Sequence, residues 1–372
     1  MKVAIVHDWL VNYGGAERVV ESFLKIYPDA DIYTLVYDKN KMATHFPPEK
    51  VHTSFMQKWP MSTKLYTKFL TFMPKAFESF DLSSYDLVLC SSSSCAKGVI
   101  TSPAVPHIAY IHTPMRYAWD LFFDYRKRSG SLTKFFMNRW MPSIRLWDFV
   151  SSQRIDTLIA NSNYIARRIK KFWNRESTVI YPPVDTGRLS PNGKEPEDFY
   201  VVFSRFVPYK RIDLAISACL KLNKKLVVIG SGSCEKELKA LAAGSKNITF
   251  TGRISDKEVE QYLQRCKALI FCAEEDFGII PVEAQACGRP VIAYGKGGSL
   301  ETVVDGKTGL FFEQQNIESV AETVNRFEKL SENGIFFNSK MIAEHSASFS
   351  EERFRKQIEE TVNKTLSFFS KA

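Results

Sequence analysis

Much of what would mark a small stapled, metal-bound or membrane-spanning protein is missing from this sequence. Its seven cysteines form no CxxC pair, and no histidine stands near them at zinc-finger spacing. Most sit in apolar stretches such as DLVLC and LIFCA, which reads as reduced core residues in a cytosol-like compartment. The apolar run of MKVAIVHDWL is short and broken by His7 and Asp8, so no secretory leader is expected. No window approaches the ~18 consecutive apolar residues that cross a bilayer. There is no GxGxxG, hence no support for a dinucleotide site, and no helix-turn-helix, zinc-finger or RNP signature. Short-period repeats and low-complexity tracts are also lacking. What is present is the composition of a globular protein, 45% hydrophobic and 24% charged over 372 residues, a length that predicts two domains.

The net charge of +9 is uneven: residues 1–185 hold 24 basic and 16 acidic residues, and residues 186–372 hold 26 and 25. Two acid-free stretches carry the excess. Residues 50–77 bring Lys50, Lys58, Lys64, Lys68 and Lys75 among Trp59, Tyr66, Phe69, Phe72 and Met73. Residues 125–147 bring Arg126, Lys127, Arg128, Lys134, Arg139 and Arg145 among Phe135, Phe136, Trp140 and Trp147. Three readings stay open: solvated faces over core aromatics, a patch that meets anionic headgroups while its rings enter the interface, or nucleic-acid binding. The last has only the basic balance behind it, and no nucleic-acid partner is expected.

Apolar, β-rich runs at 3–7, 32–37, 86–92, 107–113 and 157–162 alternate with helix-length spacers, which predicts βαβ units on a parallel sheet. YPPVD (181–185) interrupts the pattern, because consecutive prolines continue neither a helix nor a central strand. A second series of strand patterns follows at 200–205, 225–232, 248–252, 268–273, 290–295 and 309–313, with helical patterns between them. The tail, 350–369, reads as an amphipathic helix with Ser350 as N-cap. The expectation is an α/β protein of two doubly wound, Rossmann-like domains facing a central cleft, spanning 1–185 and 186–349, with a terminal helix over 350–372. Chemistry is then expected in the loops after strands.

Three such loops stand out. Gly14-Gly15 opens a helix after the first strand, where backbone N–H groups suit an anion. Arg205, then Lys210, follow the strand at 200–205; a guanidinium fork and an ammonium point charge together suit a diphosphate. The third is EEDFGIIPVEAQACGRPVIAYGKGGSLETV (274–303), where Glu275 and Glu283 are separated by seven residues, Gly278 and Pro281 shape the helix start, and Gly295, Gly297 and Gly298 form a second glycine-rich loop that opens a helix at Ser299, expected as another anion site. Carboxylates that accept from sugar or ribose hydroxyls, beside N–H groups and cations that hold phosphate, suit a sugar nucleotide. Asp29-Ala-Asp31 matches a DxD metal motif, but it precedes a strand and is expected at the wrong edge of the sheet; no metal site is predicted.

The 274–303 segment resembles the E-x7-E signature of the retaining family 4 glycosyltransferases, which have the two-domain GT-B fold. GGAER, IHTPMRYAWD (111–120), FSRFVPYKR (203–211) and the terminal helix extend the resemblance over nearly the whole chain. The combination IHTPMRYAWD, IANSNYIARRIKKFW and YPPVD is most similar to bacterial mannosyltransferases of O-antigen and exopolysaccharide assembly. The resemblance implies that Arg205 and Lys210 hold the donor diphosphate, Glu283 the ribose hydroxyls and Glu275 the transferred sugar. It also implies that Gly14 and Gly15 lie against the diphosphate, that His112 contacts the sugar, that Gly252 and Arg253 frame the base, and that Gly278 and Ile279 line the donor site. His112, Arg205, Lys210 and Glu275 are the expected catalytic set. The terminal helix is implied to cross back to the N-terminal domain.

The expected reaction moves a sugar, with mannose from GDP-mannose leading, onto a polyprenyl-diphosphate-linked or oligosaccharide acceptor. Configuration is retained, no metal or other cofactor takes part, and the protein is placed in the cytoplasm on the inner face of the membrane. Lys58, Lys64, Lys68, Arg126, Lys127, Arg128, Lys134 and Arg139 are the expected acceptor and membrane surface. The alternatives are a UDP- or dTDP-sugar donor, a nucleotide-sugar 2-epimerase of the same fold, and a non-enzymatic membrane scaffold.

Overall fold

The structure is a computed structural model in which residues 1–333 and 337–370 are described. The chain forms two compact units: Met1–Pro183 joined by the tail from Phe354 onward, and Val184–Arg353.

The first unit is built on seven strands, β1 (Val3–His7), β2 (Asp31–Thr34), β3 (Val51–Thr53), β4 (Leu87–Ser92), β5 (His107–Ile111), β6 (Thr157–Ala160) and β7 (Thr178–Val179). They lie in the order β3-β2-β1-β4-β5-β6-β7, and every pairing is parallel. β1, β4 and β5 are buried at every position, because helices cover both faces of a parallel sheet; this is why their sequences are unbroken apolar runs rather than alternating ones. The edge strands β3 and β7 escape sequence reading, being three and two residues long. The expected strand at 32–37 stops at Thr34, after which Leu35–Tyr37 leave the sheet and the Leu10 N–H donates to the Val36 carbonyl at 2.9 Å.

The second unit repeats the plan with β8 (Tyr200–Phe203), β9 (Leu226–Ile229), β10 (Ile248–Gly252), β11 (Leu269–Phe271), β12 (Val291–Tyr294) and β13 (Gly309–Phe312), ordered β10-β9-β8-β11-β12-β13 and all parallel. Both sheets are doubly wound. Strand order reverses between β1 and β4 in one unit and between β8 and β11 in the other. At such a reversal the connecting helices depart to opposite faces and leave a crevice at the carboxyl ends of the strands.

The tail helix, Glu351–Phe369, belongs to the first unit beyond its first turn. Phe354, Ile358 and Val362, spaced four residues apart, present one apolar face to Phe23 and Tyr110 of the core. Its N-terminus is capped by Ser350, whose hydroxyl accepts from the Arg353 N–H at 3.3 Å.

One buried charge pair anchors the helix Ser131–Gln153. Asp148 and Lys97 are both almost fully buried, with Nζ 2.6 Å from Oδ1; the other carboxylate oxygen accepts from the indole N–H groups of Trp119 (2.8 Å) and Trp173 (2.7 Å). Removing the cation alone leaves a buried carboxylate uncompensated. Lys97→Met is therefore expected to lose about 3–5 kcal/mol of stability, measured by denaturant unfolding; a loss under about 1 kcal/mol would show that the pair is solvated or redundant.

Candidate active site

In the second unit the residues singled out from the sequence gather on the carboxyl edge, at the strand-order reversal. Arg205 is exposed just beyond β8. Lys210 ends the short 3-10 turn Pro208–Lys210 and is nearly buried; its ammonium meets Glu275 Oε1, from the loop after β11. Burial and the charge of Arg205 push Lys210 down to about 7, with Asp276 pulling the other way. Two cations and the carboxylates of Glu275 and Asp276 thus converge within one loop cluster. Gly278 then adopts a left-handed conformation (φ 92°) to open the helix Ile279–Ala286, which carries half-buried Ile279 and buried Glu283. Gly252 (φ 70°) ends β10 on the same edge, its carbonyl accepting from the Gly230 N–H at 3.0 Å, and Arg253 beside it is exposed.

What fixes the cluster is backbone packed on backbone. A Cβ at Gly297 (φ 69°) would lie 2.4 Å from the Glu275 carbonyl oxygen, and one at Gly298 would lie 2.3 Å from Phe277 Cα. The Gly298 N–H donates to the Glu275 carbonyl at 2.8 Å. This corrects the sequence reading of the second glycine-rich loop: its Gly298 N–H is spent on Glu275, and the helix it opens, Ser299–Thr302, is one turn long. The loop is a bed for Glu275 rather than an anion cradle. Gly230 does the same for Arg205, since a Cβ there would stand 1.9 Å from the Ser204 carbonyl oxygen.

In the first unit, the carboxyl edge holds His7 at the end of β1, Ser91 near the end of β4 and His112 just past β5. Ser91 Oγ lies 2.8 Å from His112 Nε2 and 3.1 Å from His7 Nδ1, and His7 Nε2 lies 3.5 Å from Glu17 Oε1. Burial opposes a charged His7, but Glu17, Asp8 and the Ser91 carbonyl outweigh it and raise its pKa. Burial and the charge of His7 lower His112 to about 3, so that ring is neutral. Asp8 caps the next loop: its carboxylate accepts from the N–H groups of Ser93 (2.6 Å), Ser94 (2.9 Å) and Ala96 (2.8 Å). Gly14 N-caps the helix Gly15–Ile26 in an extended conformation open to any residue, so its role is space: a Cβ would come 3.3 Å from Glu17 Oε2. His7, Asp8, Glu17 and Ser91 were missed from sequence. The available signal was a His-Asp pair ending a buried strand, where polar residues are costly unless used.

The DxD motif lies at the amino edge, as expected. The Asp31 carboxylate accepts from the Tyr85 hydroxyl at 2.6 Å and faces His52 Nε2 at 3.5 Å. Among the described residues, no three His, Cys, Asp or Glu side chains converge as metal ligands.

The two basic-aromatic stretches differ. Around Lys58, Lys64 and Lys68, all exposed, Trp59, Tyr66 and Phe69 pack inward on the core, which favours solvated faces over core aromatics there. The second stretch forms the helices Phe122–Arg128 and Ser131–Gln153. Met137, Met141, Ile144 and Asp148 face the core, while Leu132 (71% exposed), Phe135 (64%), Phe136, Leu146 (66%) and Val150 form a stripe to solvent. Lys127 and Arg139 are exposed, Arg126 and Lys134 half-buried, and the Arg128 side chain lies outside the described residues. No helix among the described residues is long and apolar enough to cross a membrane.

Two Rossmann-like units, each with polar chemistry at the reversal point of its sheet, have the architecture in which nucleotides are commonly bound. Comparison narrows this. Residues 13–188 match the family described as Glycosyltransferase Family 4, and residues 188–342 match Glycosyl transferases group 1. The two matches together span residues 13–342, so the chain carries a Family 4 and a group 1 glycosyltransferase domain, on the GT-B fold. It is 32% identical over 195 residues to an uncharacterized glycosyltransferase of Methanocaldococcus jannaschii, covering 50% of this chain and 55% of that one. It is 31% identical over 199 residues to a GDP-mannose-dependent monoacylated alpha-(1-6)-phosphatidylinositol monomannoside mannosyltransferase of Corynebacterium glutamicum, covering 45% and 51%. The chain spans about half the length of these curated relatives. In fold it is similar to Anabaena HepE, solved with UDP, at a TM-score of 0.73 and 19% identity over 98% of this chain and 100% of that one.

Gly298→Ala tests the bed under Glu275. Overpacking backbone on backbone is expected to cost about 1–3 kcal/mol and to weaken nucleotide binding about tenfold by shifting Glu275 against Lys210. A variant with unchanged stability and affinity, by thermal melting and calorimetry, would contradict the packing argument.

Proposed function

We propose that the protein is a retaining, metal-independent glycosyltransferase that takes a sugar from a nucleoside diphosphate and passes it to a lipid-linked or oligosaccharide acceptor on the cytoplasmic face of a membrane. The observation that carries this is the Arg205, Lys210 and Glu275 cluster at the carboxyl edge of the second sheet. The bond from the anomeric carbon to the diphosphate breaks, a new one forms to an acceptor hydroxyl, and the hydroxyl proton passes to the leaving phosphate on the same face. Negative charge grows on the leaving diphosphate in the transition state, so preorganised cations there lower the barrier. Arg205 and Lys210 supply them in place of a metal ion. Burial and the charge of Arg205 lower the pKa of Lys210, and a bound diphosphate favours its charged form. Glu275 accepts from hydroxyls of the transferred sugar and Glu283 from those of the ribose. The two are not cast as the carboxylate pair of a glycosidase.

Mannose from GDP-mannose is the first donor to test, in line with the GDP-mannose dependence of the Corynebacterium relative. A UDP-sugar is the second reading, supported by the ligand named for HepE. Incubating each donor in EDTA with lipid-linked acceptors and reading the product linkage by NMR tests the reaction. A product of the same anomeric configuration as the donor is expected. Conversion of donor alone to an epimer would replace this reading with the 2-epimerase one, and no turnover of any sugar nucleotide would favour the scaffold.

The membrane part of the proposal rests on the exposed stripe of the helix Ser131–Gln153. Apolar side chains of that size on one helix face, bordered by Lys127 and Arg139, match an interface in which rings enter the headgroup region and cations meet anionic lipid. The protein is expected to sediment with anionic vesicles at low salt, to be released by salt, and to lose binding in Leu132→Ser/Phe135→Ser. Equal sedimentation of wild type and that double variant would contradict this face.

A further inference from the structure

We propose that Ser91 and His7 lock His112 into the neutral tautomer that carries its proton on Nδ1, so that the ring offers an N–H donor, not an acceptor, at the carboxyl edge of the first sheet. One hydrogen-bonded chain, from His7 through Ser91 to His112, fixes the proton positions. His7 Nδ1 lies 3.1 Å from the Ser91 carbonyl oxygen, which can only accept, so His7 Nδ1 carries a proton. The same N–H points at Ser91 Oγ, also at 3.1 Å, so the Ser91 hydroxyl proton does not face His7. Ser91 is fully buried, and among the described residues its hydroxyl has one other hydrogen-bonding neighbour, His112 Nε2 at 2.8 Å. An O–H left without an acceptor there costs about 1–3 kcal/mol, so Ser91 donates to His112 Nε2. Nε2 is then the unprotonated nitrogen and Nδ1 the protonated one.

The rest of the surroundings agree. Glu17 Oε1 stands opposite His7 Nε2 and Asp8 lies beside it; together they favour the doubly protonated ring, which removes any choice about His7 Nδ1. His112 is held beside Tyr110 with ring centroids 5.2 Å apart at 67°, which limits ring rotation. His7, Ser91 and Glu17 are positioning residues: none of them needs to touch a substrate. Under the glycosyltransferase reading, on which only this consequence rests, a neutral N–H donor grips an oxygen of the sugar or its leaving group without placing a cation beside the electron-poor anomeric carbon.

The tautomer is read without substrate, by two-dimensional nitrogen-15 NMR of the full-length protein labelled at histidine, with the His112 signals assigned by their absence in His112→Gln. In the wild type His112 is expected to show a pyrrole-type Nδ1 and a pyridine-type Nε2. The reverse pattern, or a mixture, overturns the proposal whatever the enzyme does. Ser91→Ala is expected to convert His112 toward the Nε2–H form and to lower kcat about tenfold, with KM for the donor little changed. Ser91→Thr, which keeps the hydroxyl, is expected to restore both. An unchanged His112 pattern in Ser91→Ala also overturns it, and should that variant fail to fold, the wild-type spectrum and Ser91→Thr decide. Absence of sugar transfer with the expected pattern would refute the function and leave the tautomer standing.

Discussion

Every strand of a wholly parallel sheet ends on the same edge, and in this protein nearly everything else depends on that constraint. With helices on both faces, the central strands are buried along their length, so a polar group within them has no solvent to face. Polar chemistry is driven to the strand ends, and only the carboxyl ends open onto a crevice where strand order reverses. Both units obey this independently. His7 and Ser91 lie at the ends of β1 and β4, and Arg205 and Glu275 follow β8 and β11, the pairs of strands flanking each reversal; His112 follows β5, the strand next to β4.

Placing loops at an edge does not hold them there, and the two units solve this differently. The second uses absent side chains: Gly297, Gly298 and Gly230 let one loop's backbone rest on the backbone of the next, so that Glu275 and Arg205 are supported by atoms that cannot change rotamer. The first uses charge. The Asp8 carboxylate collects three backbone N–H groups of the loop after β4, and Glu17 steadies His7. Charge-assisted hydrogen bonds to a buried carboxylate are among the stronger local restraints available. The side chains proposed to act, Arg205, Lys210, Glu275 and His112, therefore sit on supports that are themselves fixed.

The sequence was legible where a single local rule acts. Unbroken apolar runs announced the buried strands, the four-residue spacing of Phe354, Ile358 and Val362 announced the tail helix, and the double proline lay at the join of the two units. Glu275 with Lys210 was legible because loops after strands were the place to look. Edge strands of two or three residues carry no periodicity and were not. The roles of Gly297 and Gly298 were misread because the same dipeptide serves an anion or a close backbone crossing, and only the neighbour 2.4 Å away distinguishes them. The His7–Ser91–His112 chain joins residues 84 and 21 apart in sequence, a proximity created by strand pairing that no local pattern encodes. The two basic-aromatic stretches were alike in composition, but Trp59, Tyr66 and Phe69 of the first pack inward while Phe135, Phe136 and Trp140 of the second face solvent.

The most direct test of the account is a thermal-shift panel of GDP, UDP, dTDP and ADP in EDTA, run on the wild type and on Arg205→Met and Lys210→Met. A nucleotide at about a hundred times its Kd stabilises by about 2.7 kcal/mol, a shift of a few degrees. The account predicts that one of the four shifts the wild type without metal and that either substitution abolishes the shift, with the unliganded melting temperature nearly unchanged in Arg205→Met, whose side chain is exposed. A shift that requires Mg2+, or one that survives both substitutions, would contradict a diphosphate site built on Arg205 and Lys210.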